Sequence, residues 1–281
     1  MESLSRWFEE RFLVPEHAAG TGTAAAGFAA PVFTVIGSGG KTSLIWLLAQ
    51  SQRRRRVLVS PTTKMYPPRP ELHRYDHGCF TGEYAACPPA AGGNPPAGIS
   101  LAGLLNRETG KLEALPVNVL ETMTAAYDLV LLEGDGSRGL PLKGWAEHEP
   151  VVPPYTTVSI GVIPISPLGK KVSPELVFRL PQFTALCGAE EGDTLGPAHL
   201  AAVITAGMDG KTGTGGRGNG TGRGLFAAAR GRKLLFINQA EDEEQRRQAR
   251  ELAALLPGDF IAGLEGIICG SVERNQVEVL R

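Results

Sequence analysis

Short runs of consecutive apolar residues, many of them β-branched, alternate with helical patterns along this chain. Such runs predict strands buried on both faces of a parallel sheet, since half-exposed strands would alternate apolar with polar positions. The predicted strands are residues 32–36, 57–60, 127–132, 158–164, 233–238 and 266–270. Apolar positions at helical spacing predict helices at residues 2–13, 41–50, 115–126 and 241–256.

The order of these elements predicts the fold class. Residues 32–60 contain a strand, a glycine turn, a helix and a second strand in about 30 residues, the size of one βαβ unit. A right-handed crossover would place the two strands parallel in one sheet. Strands alternating with helices predict an α/β fold, with a doubly wound, mostly parallel sheet in three α/β/α layers. We expect a single domain over residues 1–281.

Three stretches depart from this alternation. Residues 1–31 predict an N-terminal helix followed by a lead-in of small residues. Residues 61–114 are rich in proline, glycine and alanine at their start and predict an irregular excursion. Residues 207–224 are so dense in glycine that they predict a flexible loop. That loop repeats the pattern G-x-x-G-K-T from Gly207, but the glycines that follow prevent a helix from starting there.

Charge and cysteine content narrow the class of protein. The 28 basic and 29 acidic residues nearly balance, so no global field favours nucleic acid or an anionic membrane. Neither a secretory leader nor a run of 18 apolar residues is apparent, which predicts a protein without a membrane span. The cysteines Cys79, Cys87, Cys187 and Cys269 lack C-x-x-C spacing. We therefore expect no disulfide framework and a reduced, cytoplasmic protein.

The strongest chemical signal is the sequence GSGGKTS between the first strand and its helix. Backbone amides at such a turn converge on an anion, and the helix N-terminus favours negative charge. The candidate nucleotide-binding residues are Gly37, Ser38, Gly39, Gly40, Lys41, Thr42 and Ser43. Lys41 would reach the β- and γ-phosphates, and Thr42 would ligate Mg²⁺. Val35 replaces the glycine of the longer pattern, so the loop is of the short kind found in Mur-type ligases. With this loop between a strand and a helix, we expect the single domain to be P-loop NTPase-like.

Two carboxylates end the third predicted strand. Glu133 and Asp135 are two positions apart, so on an extended chain both would point to the same side. A P-loop site needs such an acid to hold the metal opposite the phosphates. We expect Asp135 to ligate Mg²⁺ with Thr42, and Glu133 to assist it or to orient an attacking water.

Other polar groups follow predicted strands. Thr62, Thr63 and Lys64 would touch phosphate or metal, or form a plain turn. Asn238 begins the sequence NQAED, an imperfect version of the guanine-reading N-K-x-D; a polar N-cap for the next helix explains it equally well.

The remaining candidate site residues are those of a charged loop and a possible set of metal ligands. Basic groups after the acids could bind an anionic substrate, or belong to a rigid solvated loop. The residues concerned are Arg138, Lys143, His148 and Glu149. A zinc site would draw on His73, His77, Cys79 and Cys87, although their spacing matches no standard module.

Taken in order, four segments resemble the YqeC family. The segments are VIGSGGKTS, VLVSPTTKMYPP, DLVLLEGDGSRGLPLKGWAEHEPVVP and LLFINQAED. The resemblance runs from about Val32 to the C-terminus and is most specific over residues 133–153. The chain departs from the family pattern at Phe178, where a histidine is expected before Arg179, and in the glycine-rich tract at residues 207–224.

This resemblance implies an accessory protein for selenium-dependent molybdenum hydroxylases. Its site residues would be Lys41, Thr42, Lys64, Glu133, Asp135, Lys143 and Glu149. The expected cofactors are Mg²⁺ with ATP or GTP, and the expected partners are the molybdenum cofactor or a hydroxylase client. The catalytic residues would be Lys41, Glu133 and Asp135. Two alternatives remain open, a non-hydrolysing carrier of a phosphorylated cofactor and a small-molecule kinase or ligase.

Overall fold

A ten-stranded sheet organises the computed structural model, which describes residues 1–14, 30–69, 71–80, 94–207 and 223–281. The sheet order is β1-β15-β14-β13-β11-β2-β9-β3-β6-β5. Its strands are β1 (Glu2–Ser3), β2 (Val32–Gly37), β3 (Arg56–Pro61), β5 (His77–Cys79), β6 (Gly98–Ala102), β9 (Leu129–Glu133), β11 (Val158–Pro164), β13 (Arg232–Asn238), β14 (Gly266–Ser271) and β15 (Gln276–Val279). Short strands outside it are β4 (Lys64–Met65), β7 (Leu104–Leu105), β8 (Leu112–Glu113), β10 (Leu142–Lys143) and β12 (Val177–Phe178).

Helices flank this sheet. They are α1 (Leu4–Phe12), α2 (Lys41–Ser51), α3 (Val117–Thr124), α4 (Leu180–Cys187), α5 (Pro197–Thr205), α6 (Glu243–Ala254) and α7 (Gly258–Ala262). Every neighbouring pair from β14 to β5 is parallel, whereas β15 pairs antiparallel with both β14 and β1. The predicted α/β class with a large, mostly parallel sheet is confirmed.

Alternate residues of one strand serve different hydrophobic layers. Leu234 and Phe236 pack in the cluster that includes residues of α1 and α2, while Leu235 and Ile237 pack with residues of α5 and α6. Successive side chains of a strand point to opposite faces, so these two helical groups cover opposite sides of the sheet. This arrangement is consistent with the predicted three layers. No helix in the described ranges is long and apolar enough to cross a membrane.

The predicted excursion at residues 61–114 is wrong in one respect. It contains β6, a fully buried strand of the main sheet that pairs with β3 and β5. The run is only five residues long, has Ser100 at its centre and follows a stretch rich in proline and glycine, so its apolar pattern is weak. The lead-in and the glycine-rich loop lie mostly outside the described residues, at 15–29 and 208–222.

The strand order sets the position of the candidate site. β9 lies between β2 and β3, so the carboxyl end of β9, not that of β3, is next to the turn after β2. Glu133 at this end pairs in register with Val35 on one side and Pro61 on the other. In doubly wound sheets, ligands bind in the crevice beyond these carboxyl ends.

Candidate functional site

The turn after β2 depends on glycine at three positions. Gly37, Gly39 and Gly40 have φ of 101°, 71° and 125°, which L side chains rarely adopt. A Cβ atom at Gly37 would lie 2.1 Å from the carbonyl oxygen of Val162, and one at Gly40 would lie 2.2 Å from Nδ2 of Asn238. The turn therefore wraps closely against β11 and β13 before α2 begins at Lys41.

Lys41 is directed under this turn. Its side chain is 4% exposed, and Nζ donates to the carbonyl oxygen of Gly37 at 2.6 Å. Nζ also lies 3.4 Å from Oδ1 of Asp135. The lysine is thus held by the loop itself and by a carboxylate beneath it.

Asp135 is fully buried and surrounded by donors. Its carboxylate accepts from the Gly37 backbone amide at 3.0 Å, from Nζ of Lys143 at 3.1 Å and from Nε1 of Trp145 at 2.7 Å. Burial by itself would raise the pKa of Asp135, but the charges of Lys41 and Lys143 and the hydrogen bonds outweigh it and lower that pKa. Asp135 is therefore an ionised anchor for the loop.

Glu133 contacts the first turn of α2. Its Oε2 accepts a hydrogen bond of 2.7 Å from the hydroxyl of Thr42. Burial raises the pKa of Glu133, although Lys41 and the Thr42 hydrogen bond oppose the shift. The hydroxyl and carboxylate oxygens form the hard donor set that Mg²⁺ prefers, whereas the pair offers no soft or nitrogen ligand.

A cleft of about 920 Å³ opens beside these groups. The predicted site residues that line it are Gly39, Gly40, Lys41, Thr42, Ser43, Thr63, Lys64, Glu133, Arg138, His148 and Glu149. The predicted residues buried behind the lining are Gly37, Ser38, Thr62, Asp135, Lys143 and Asn238. The first group can reach a ligand, and the second supports the walls.

Lys143 lies at the centre of this buried support. Its fully buried Nζ donates to Oδ2 of Asp135 at 3.1 Å, to the carbonyl oxygen of Gly136 at 2.7 Å and to Oε2 of Glu149 at 2.7 Å. Glu149 in turn accepts from Arg179, whose side chain is 22% exposed. A continuous ionic network thus joins the loop to the opposite part of the cleft.

Asn238 braces the loop from β13. Its Nδ2 donates to the carbonyl oxygen of Gly39 at 2.8 Å, and its Oδ1 accepts from the backbone amide of Val272 at 3.1 Å. Asp242 is the N-cap of α6, because its carboxylate accepts from the amide of Gln245. The N-cap alternative for this sequence is therefore the one observed.

Of the predicted site residues after β3, Thr62 stabilises the fold, whereas Thr63 and Lys64 line the cleft. Thr62 donates to the carbonyl oxygen of Val151 at 2.7 Å and so ties β3 to a neighbouring loop. The Oγ1 of Thr63 is buried at the cleft wall, and no described residue forms a hydrogen bond with it. Lys64 is exposed and pairs with Glu113 at 2.8 Å, and His148 is exposed at the cleft.

Several cleft residues escaped the sequence analysis as site residues. They are Tyr66, Arg69, Lys111, Phe178, Arg179 and Gln239. Phe178 and Arg179 could have been found from the sequence, because the chain departs from the family pattern at this point. Lys111 and Tyr66 lie in the excursion, where no periodic pattern assigns a position to either side chain.

The structure contradicts the expected reduced state of the cysteines in one place. Cys79 is disulfide-bonded, whereas Cys187 and Cys269 are free. A disulfide sulfur cannot serve as a zinc thiolate, so Cys79 does not contribute to the suggested zinc set. Within the described ranges, no group of three or more His, Cys, Asp or Glu residues could hold a metal, and Cys87 lies outside them.

Comparison with known proteins agrees with the resemblance noted from the motifs. The family model described as YqeC protein matches residues 33–181, which include the loop, both carboxylates and Arg179. A protein of Escherichia coli strain K12, named uncharacterized protein YqeC, is 34% identical over 177 residues, covering 62% of this chain and 67% of its own length. No solved structure matches the chain. The chain therefore belongs to the YqeC family.

Proposed function

We propose that this protein binds a nucleoside triphosphate with Mg²⁺ in the cleft and hydrolyses it. The observation that supports this most is the left-handed glycine turn that leads directly into α2, with Lys41 and Thr42 at the start of the helix. P-loop proteins bind phosphates with backbone amides at a helix N-terminus and a lysine, and this turn provides both kinds of group next to the cleft. The mostly parallel sheet with this turn beyond β2 supports the proposal of a P-loop NTPase-like fold.

The proposed metal ligands differ from the initial expectation. Asp135 has Gly37, Lys143 and Trp145 as hydrogen-bond donors and Lys41 beside it, so it is occupied as a positioning residue for the loop. Thr42 and Glu133 would hold Mg²⁺ instead, because their oxygens lie 2.7 Å apart at the cleft wall. Mg²⁺ is commonly held by one or two protein oxygens together with substrate phosphates.

The chemistry expected of these groups is mainly electrostatic. Bound Mg²⁺ would neutralise charge that develops on the phosphates. Lys41 and the amides of the loop would stabilise the same charge from the opposite side. Asp135 would hold Gly37 and keep Lys41 beside the loop until a phosphate replaces these internal partners of the lysine.

The biological role that we propose comes from the family resemblance. A P-loop NTPase of the YqeC family would act in the maturation of selenium-dependent molybdenum hydroxylases, on the molybdenum cofactor or its selenium ligand. The cleft lining supports an anionic substrate, since it includes Arg138 and Arg179 in addition to Lys41. Such a substrate is consistent with a phosphorylated cofactor.

The test is a comparison of ATP and GTP binding and hydrolysis in the wild type, Lys41→Ala and Lys170→Ala. Lys170 is exposed and is not one of the residues that line the cleft, so it controls for loss of one lysine. We expect Lys41→Ala to lower hydrolysis by at least about 100-fold, as removal of one stabilising group commonly does. Thermal unfolding would verify that this variant folds.

Each result has a distinct meaning. Equal hydrolysis in the wild type and Lys41→Ala would contradict the proposal. Binding without turnover would replace it by the carrier alternative, and product formation that depends on an added acceptor would favour a kinase or ligase.

A further inference from the structure

Two arginines meet at one aromatic ring in the cleft. The guanidinium carbon of Arg138 lies 4.9 Å from the centroid of Phe178, and that of Arg179 lies 4.7 Å from it. All three residues line the cleft. Cations over an aromatic ring are attracted to it, so Phe178 holds two guanidinium groups together despite their like charge.

The backbone at both arginines is unusual. Arg138 and Arg179 have φ of 54° and 57°, in the left-handed region that favours glycine. Of the four non-glycine residues in this region among those described, three line the cleft; the third is Gln239, and Asn275 lies elsewhere. Non-glycine residues are retained in such conformations mainly where the side chain has a function.

The two arginines are held differently. Arg179 pairs with Glu149, which is itself fixed by the buried Lys143. Arg138 is exposed and makes no ion pair with a carboxylate among the described residues. One guanidinium is therefore oriented in advance, and the other is available to a ligand.

The remaining cleft wall is also suited to an anion. The buried hydroxyl of Thr63 has no hydrogen-bond partner in the described parts of the chain, and Nζ of Lys111 lies 4.4 Å from the centroid of the Tyr66 ring. Both residues line the same cleft as the arginines. An unpaired buried hydroxyl is costly unless a ligand or a water binds it.

We propose that Arg138 and Arg179 form a subsite for a second anion, a small molecule with a phosphate group, next to the nucleotide. Guanidinium groups bind phosphate through paired N–H donors, which makes them well suited to this ligand class. The cleft volume of about 920 Å³ lies near the upper end of the roughly 300–1,000 Å³ usual for one ligand, so it has room for two. This inference rests on the proposed function, which assigns the glycine loop to the nucleotide.

The test uses the full chain saturated with Mg²⁺ and a non-hydrolysable ATP analogue. Inorganic phosphate and glycerol 3-phosphate are then titrated by calorimetry into the wild type, Arg138→Gly and Arg54→Gln. Glycine suits the left-handed backbone, so Arg138→Gly removes the guanidinium without straining the chain. Arg54 is exposed outside the cleft and controls for one lost charge.

We expect Arg138→Gly to weaken binding of the phosphate probes at least about tenfold, with nucleotide affinity within about twofold of the wild type. Its melting temperature should equal or exceed that of the wild type. Stronger binding of the ester than of free phosphate would identify the ligand as a phosphorylated small molecule, and the reverse would identify free phosphate. Equal probe binding in Arg138→Gly and the wild type would overturn the inference, as would loss of probe binding when nucleotide is present.

Failure of the two proposals can be told apart with Lys41→Ala. That variant should lose nucleotide binding but retain the phosphate probes at the arginines. A wild type that binds nucleotide but neither probe would refute the second subsite alone. A wild type that binds no nucleotide, yet binds phosphate in a manner sensitive to Arg138→Gly, would refute only the nucleotide proposal.

Discussion

Replacing Lys143 by methionine should be among the most damaging single changes in this protein. The side chain is fully buried, and its ammonium group donates to Asp135, Glu149 and the carbonyl oxygen of Gly136. Methionine fills a similar volume without the charge. The substitution would leave the buried carboxylates of Asp135 and Glu149 with one cation fewer. Their remaining charged partners are Lys41 for Asp135 and Arg179 for Glu149.

The size of the effect follows from these contacts. Removing one partner of a buried ion pair typically costs about 3–5 kcal/mol, since the other charge stays buried without compensation. We therefore expect Lys143→Met to lower the free energy of unfolding by about 3–5 kcal/mol, measured by urea denaturation at neutral pH. Arg247→Met is the control: the pair of Arg247 with Glu244 is 60% and 58% exposed, so its loss should cost less than about 1 kcal/mol.

A double variant tests the reasoning further. In Lys143→Met combined with Glu149→Gln, one uncompensated carboxylate is gone, so the total loss should be smaller than the sum of the two single losses. Additive losses would contradict an ionic network centred on Lys143. A cost below about 1 kcal/mol for Lys143→Met alone would refute the argument altogether.

Two other changes follow from the same site. Because the folded state raises the pKa of Glu133, this carboxyl contributes stability below its unfolded pKa, and that contribution is lost as pH rises through the folded pKa. Glu133→Gln should therefore be more stable than the wild type near pH 8 without Mg²⁺, and the difference should shrink towards pH 4. The rate of hydrolysis should fall about 100-fold in this variant. Lower stability than the wild type near pH 8 would contradict the reasoning. Gly40→Ala should cost about 2 kcal/mol or more in thermal unfolding and weaken nucleotide binding, since its φ is 125° and the new Cβ would meet Asn238 at 2.2 Å. Gly110→Ala, with φ of 66° and nothing within 4 Å, should cost only about 1 kcal/mol and leave binding unchanged; equal effects at both glycines would refute the steric argument.

The sequence predicts the central strands well because their signal is local. The run at residues 158–164 is observed over the same residues as β11, and the turn of glycines before Lys41 is followed by α2. The strand and the helix each have enough apolar residues within their own sequence to predict a buried element. The strand β6 is not predicted because its five residues are a short, weakly apolar run, and its place in the sheet depends on pairing with β3 and β5, which sequence periodicity does not show.

The candidate site, too, is predictable from the sequence only where the signal lies within one segment. Spacing alone indicates that Glu133 and Asp135 point the same way, but not which of them is surrounded by donors. That difference depends on Lys143 at the end of β10 and on Trp145 just after it, both of which donate to Asp135. Likewise, Arg179 is distant in sequence from Arg138, and only the fold brings both to the ring of Phe178.

The position of Lys41 has a consequence for the form in which the proposed nucleotide would enter. Its ammonium group is already matched by Asp135 at 3.4 Å and by the carbonyl oxygen of Gly37 at 2.6 Å. A polyphosphate arriving bare would have to compete with these internal partners while approaching a buried acid. A polyphosphate that arrives as its Mg²⁺ complex would carry less negative charge towards the buried carboxylates, so under the proposed function we expect the complexed form to enter in preference to the bare one.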